Sequence, residues 1–139
     1  MDGSDLVEIV PGLNHPVGIV VDYDSRRLFW TEFAKHTIHS SNFHGTDVRL
    51  VVQLKDKAGP HGIAIHKKRL FWGNHLSHSL QSSDKAGQHV RTLYNGKKAV
   101  YQLIVRIQNP VQTWVNHCEW QDCSGGICVL NRNSYRCVA

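Results

Sequence analysis

Ten histidines and four cysteines are the residues of this chain best suited to chemistry. His61 with His66, and His75 with His78, lie close enough in sequence to suggest a metal site. Ligands on one side of a strand need even separation, however, and both pairs are odd, with no Cys or acidic residue beside them. Surface and turn positions account for them better. Asp22, Asp24 and Glu32 could form a carboxylate cluster, but they read more naturally as residues that cap turns. No nucleophile elbow, phosphate-cradling glycine loop or His-Glu-x-x-His occurs. The residues therefore point to no catalytic function and imply no cofactor and no metal.

The cysteines stand at Cys118, Cys123, Cys128 and Cys137, and the first 117 residues contain none. An even number concentrated in a short glycine-containing tail favours disulfides made in an oxidising compartment. A zinc site would be expected to show paired Cys-x2-Cys knuckles, which are missing. Spacing alone leaves three pairings open.

The net charge is +5, with 16 Lys and Arg scattered through turns and strand ends. A weak attraction to acidic partners follows. Nucleic-acid binding is not supported, because no helix-turn-helix, zinc finger or aromatic-interleaved basic stripe is present. No apolar run approaches the roughly 18 residues that a membrane-spanning helix needs. The start, Met1-Asp2-Gly3-Ser4-Asp5, lacks the pattern of a signal peptide.

The elements that must position these residues come from an internal repeat. Sliding the chain by 42 residues brings Gly3 onto Gly45 and Gly87, and Leu28-Phe29-Trp30 onto Leu70-Phe71-Trp72. Pro16-Val17-Gly18-Ile19 meets Pro60-His61-Gly62-Ile63 only after a two-residue shift, which falls in a turn between Asp22 and Leu28. Each unit holds four strand-like runs. They are 18–22, 27–32, 37–42 and 48–53, then 62–66, 69–74, 79–84 and 90–95, and a further alternating strand is predicted over 100–107. One small sheet cannot cover both its faces, so a four-strand repeat of this length predicts the blades of a β-propeller.

The core expected between blades comprises Val20, Leu28, Trp30 and Ile38 with Ala64, Leu70, Trp72 and Leu80. Burial of such large side chains contributes about 1.5–3 kcal/mol each. Phe29 and Phe71 lie within the same strands and join the expected blade core. Gly3, Gly45 and Gly87 mark turns, and the last two precede a final strand where positive φ favours glycine.

These units resemble the YWTD repeats of the low-density lipoprotein receptor family. The matching stretches are Leu28-Phe29-Trp30-Thr31-Glu32, Pro16-Val17-Gly18-Ile19 and Asp2-Gly3-Ser4. The second unit departs from the pattern at Gly73-Asn74, and Glu32 stands where the family has Asp. The resemblance implies an all-β fold: a partial YWTD-type β-propeller of about two and a half of six blades, followed by a short disulfide-stapled segment like an epidermal-growth-factor module. The implied domains are a partial propeller over 1–108, a linker over 109–117 and a truncated growth-factor-like segment over 118–139. By the same resemblance Cys118 pairs with Cys128 and Cys123 with Cys137. Val115-Asn116-His117 supplies no acidic ligand for calcium just before Cys118.

What the resemblance implies for function is a non-catalytic extracellular or lumenal binding module, a fragment of an endocytic receptor ectodomain. Its partners are protein ligands or other modules of the parent receptor, without nucleic acid and without membrane insertion by this chain. A signalling coreceptor or matrix propeller of the nidogen kind is the nearest alternative. A truncated product without independent function and a propeller enzyme with a central metal are the others. His15, His61 and His75 lie in inter-strand connections and are candidate pH sensors, since imidazoles that charge on acidification alter contacts with acidic partners.

Overall fold

The computed structural model describes residues 4–105, 127–131 and 134–138, the last two runs by their backbone alone. Eleven strands form there. The first sheet is β1 (Pro16–Asp22), β2 (Arg27–Glu32), β3 (Thr37–Asn42) and β4 (Arg49–Gln53), and the second is β5 (Pro60–His66), β6 (Arg69–Asn74), β7 (Ser79–Asp84) and β8 (Arg91–Asn95). Both are antiparallel, with strands paired in chain order. A third sheet joins β9 (Gln102–Ile104), β10 (Ile127–Asn131) and β11 (Ser134–Val138) in the order β11-β10-β9. Cys128 and Cys137 are register partners across β10 and β11. Cys118, Cys123 and Gly3 lie outside the described residues.

The registers explain where the strands differ from the sequence expectation. An irregularity between Pro16 and Ile19, repeated between Pro60 and Ile63, lets β1 and β5 begin two residues early. Positive φ at Asp47 (52°) and His89 (54°) bends the chain, so Val48 and Val90 stand outside the pairing of β4 and β8. Of the strand expected over 100–107, residues 102–104 are paired and 106–107 lie outside the described part. The turn joining β1 to β2 has four residues where that joining β5 to β6 has two, which accommodates the two-residue shift of the repeat.

Alternation along each strand divides the apolar residues between two faces. One face of the first sheet, with Val20, Phe29, Ile38 and Val52, packs on Ile63, Ile65, Leu70 and Trp72 of the second. The second sheet repeats this with its other face, where Ala64, Phe71 and Leu80 meet Val100, Leu103 and Val105. The sheets thus stack as blades, each covering the next. The sequence grouped Leu28 and Trp30 with Val20 and Ile38, but the register pairs Leu28 with Val21 and Trp30 with Ile19 on the opposite face. Phe29 takes the inter-sheet place instead, because it is the register partner of Val20.

Candidate functional site

One end of the stacked sheets gathers the starts of β1 and β5 with the turns after β2 and β6. His15 precedes β1, and its carbonyl accepts the N–H of Phe33, just past β2, at 3.0 Å. Their rings lie 5.2 Å apart. Phe33 stands 6.0 Å from the His75 ring, and His75 stands 4.6 Å from Tyr101 and 6.3 Å from His61. His61 meets Tyr101 edge-on at 5.4 Å, and its Nδ1 lies 2.8 Å from the Tyr101 carbonyl oxygen. Five rings therefore form a continuous array across the first, second and third sheets.

The backbone beneath the array holds it in place. Gly59 adopts φ +64°, its N–H is 3.2 Å from His36 Nδ1, and its carbonyl accepts the His75 N–H at 2.8 Å. A side chain at Gly59 would press on Leu76 and Phe33. The array needs bare backbone there.

Charge at this end is one-sided. The connections 11–15, 33–36, 54–59, 75–78 and 96–101 carry exposed Lys35, Lys55, Lys57, Lys97 and Lys98; among the described residues at this end the carboxylates are exposed Asp56 and buried Glu32, and Glu32 holds Lys35. At this end a groove of about 480 Å³ runs between the two sheets, lined by Gln53, Lys55, Asp56, Gln81, Thr92 and Asn95 among others.

The carboxylates considered from the sequence do not converge. Asp22 closes β1 at the far end of the first sheet, where Lys85 of the second sheet reaches it at 2.6 Å and the Ser25 hydroxyl donates to it. Burial opposes its ionisation, but Lys85, Ser25 and the Asp24 backbone together hold its pKa below the usual value. Glu32 lies at the near end, buried. It accepts the Asn14 N–H at 2.9 Å and Lys35 at 2.7 Å. Here too burial is outweighed, by Lys35, Asn14 and His39, and the pKa is lowered. His39 Nδ1 comes within 3.2 Å of Glu32 without hydrogen-bond geometry, and burial pushes the imidazole's pKa down despite the carboxylate. Trp30 stacks on His39 at 5.9 Å.

His61 and His66 sit at opposite ends of β5, and no group of three His, Cys, Asp or Glu suited to a metal occurs among the described residues. No described helix is long and apolar enough to cross a membrane. His15 and His75 lie in connections as expected, while His61 falls inside β5 because that strand begins at Pro60, and the three are brought into one array. Phe33 and Tyr101 were missed. The repeat held the signal for Phe33, since a shift of 42 sets it on His75.

No protein-family model matches this chain. Among solved structures it is similar to one of a nidogen/laminin complex, at 19% identity over 95% of this chain and 47% of that one, with a TM-score of 0.74. It is also similar to a catalytically inactive virginiamycin B lyase from Staphylococcus aureus with quinupristin, at 14% identity over 94% and 43% with a TM-score of 0.64. A streptogramin B lyase is a third, at 14% over 71% and 32% with a TM-score of 0.57. The chain spans less than half the length of each. At these identities the likeness is one of fold, a stack of four-stranded propeller blades.

Proposed function

We propose that the protein is a non-catalytic extracellular binding module whose ring-bearing end engages acidic segments of protein partners. The single observation that carries this reading is the array His15–Phe33–His75–Tyr101–His61, flanked among the described residues by exposed Lys55, Lys57, Lys97 and Lys98 against exposed Asp56, with Lys35 paired to Glu32. Rings supply rigid contact area, and lysines supply attraction that steers an acidic partner. The fold is shared with lyases, but Asp22 and Glu32 are each committed to a lysine, which favours structural roles over acid–base work.

The resemblance to YWTD repeats supports a place in a low-density lipoprotein receptor-type ectodomain, of the large lipoprotein-receptor-related kind to which megalin belongs. The nidogen likeness supports the matrix alternative equally. In either setting residues 1–108 serve as the propeller part, 109–117 as a linker and 118–139 as a growth-factor-like segment with pairings Cys118–Cys128 and Cys123–Cys137. His15, His61 and His75 serve as the pH-responsive part of the contact face, because charging neighbouring imidazoles adds to the positive field.

The test is surface binding of the full chain to laminin and to an acidic polyglutamate peptide. Binding is expected to weaken with salt, to fall at least tenfold or so with Lys55→Glu plus Lys57→Glu, and to strengthen from about pH 7.5 to about pH 5. Affinity indifferent to the charge reversals would overturn the contact face. A flat pH profile would remove the histidine role alone.

A further inference from the structure

Residues 4–15 precede the first strand, yet they hold a place that the repeat defines. The carbonyl of Ile9 lies against Gly45 where a Cβ would collide with it, and the carbonyl of Val51 lies against Gly87 in the same way. Both steps are 42 residues apart. Val51 belongs to β4, the fourth strand of the sheet stacked on the second sheet. Ile9 therefore occupies the fourth-strand place of a sheet stacked on the first. Its neighbours Leu6 and Val7 are 93% and 75% exposed.

The seat for the rest of that sheet is also present. Ile19, Val21, Leu28 and Trp30 are the counterparts of Ile63, Ile65, Leu70 and Trp72, on which the first sheet packs. Ile63 is 7% exposed and Ile19 is 66% exposed. An apolar hollow of about 320 Å³ lies over this seat. What fits it is a sheet whose fourth strand is already in place, so a sheet of three strands. Among the described residues the chain has one: β9, β10 and β11, with β11 at an edge.

We infer that the protein self-associates by reciprocal strand addition, residues 6–10 of one copy pairing with β11 of a second copy, whose third sheet seats on Ile19, Val21 and Leu28. In one copy the two halves lie on the first and third sheets, with the second sheet packed between. Edge strands pair readily with chains that present an extended backbone. A head-to-tail contact of this kind makes a closed assembly when its rotation closes. Reciprocal pairing of two copies engages both halves of each, so the closed form expected is a dimer.

Sedimentation of the full 139-residue chain across the micromolar range tests this. A species of twice 15.8 kDa is expected. Hydrogen exchange at the amides of Leu6 to Ile9 is expected to slow as the dimer forms. Val7→Pro and Glu8→Pro each remove one N–H, and one of the two faces β11 whichever way the segment lies, so at least one is expected to weaken association tenfold or more, roughly. Ile19→Lys, at a position exposed in the single copy, is expected to give monomer with unchanged circular dichroism. A monomer at every concentration overturns the inference. So does a dimer weakened by neither proline, even if Ile19→Lys disrupts it.

Discussion

Thr31 Oγ1 donates to the carbonyl oxygen of His61 at 2.7 Å and accepts the N–H of Gly18 at 2.9 Å, so one hydroxyl bridges the first sheet to the second. Among the described residues the next interface shows no such bridge. There Gly62 N–H reaches the Tyr101 carbonyl directly at 2.9 Å, and Gly73 stands where the repeat has Thr31. A methyl at Gly73 would collide with Val100. A hydroxyl spaces one joint, and its removal closes the other.

Thr31→Val is expected to cost about 1–3 kcal/mol, because it leaves two half-buried backbone groups, Gly18 N–H and the His61 carbonyl, without their partner. Gly73→Ala should cost a similar 1–3 kcal/mol or so by overpacking. Urea unfolding of each variant checks this, and a loss below a few tenths of a kcal/mol for Thr31→Val, on the scale of a surface change, would show that the bridge is idle.

The tie between Asp22 and Lys85 joins the same two sheets at their far end. Lys85→Met is expected to lower stability by about 1–3 kcal/mol, since it strands a buried carboxylate. The added change Asp22→Asn should return part of that loss, and the double-mutant cycle measures how much. Strict additivity would contradict the pairing.

Acid is expected to destabilise the fold in two stages. His39 has a folded pKa below its ordinary 6.5, so the unfolded chain takes up its proton first, and stability falls as pH drops below that value. Glu32 and Asp22 have folded pKa values below 4.5 and 3.8, so their contributions hold above those values and are lost as pH falls through the folded ones. Thermal melts from neutral to acidic pH track both stages, and His39→Gln should remove the first. Its persistence in that variant would assign the stage to another group.

Gly45→Ala and Gly87→Ala combine positive φ of 76° and 80° with collision against Ile9 and Val51. Gly12→Ala has φ 70° but open space around the new methyl. The first two are expected to cost more than the roughly 1 kcal/mol of backbone strain that Gly12→Ala carries. Equal losses in all three, by chemical denaturation, would mean that the packed carbonyls do not matter.

The eight strands of the first two sheets were legible because the period-2 pattern and the 42-residue repeat agree there. Turn lengths were legible too, from the two-residue shift. The division of Phe29 and Trp30 between opposite faces was not, since the sequence marks both as apolar and only register assigns a side. The links Thr31–His61 and Asp22–Lys85 span 30 and 63 positions and join sheets whose relative placement no local pattern fixes. The ring array was half visible: its histidines stood out by type, while Tyr101 joins them only through the stacking of the third sheet.

The joint in which Ile9 leans on Gly45 and Val51 on Gly87 is split, one half carried by a unit's tail and the other by its successor's turn. A unit copied within the gene therefore arrives with both halves, a tail to rest on the next unit and a bare glycine to receive the one before. Growth of such an array by duplication needs no new fitting at its seams.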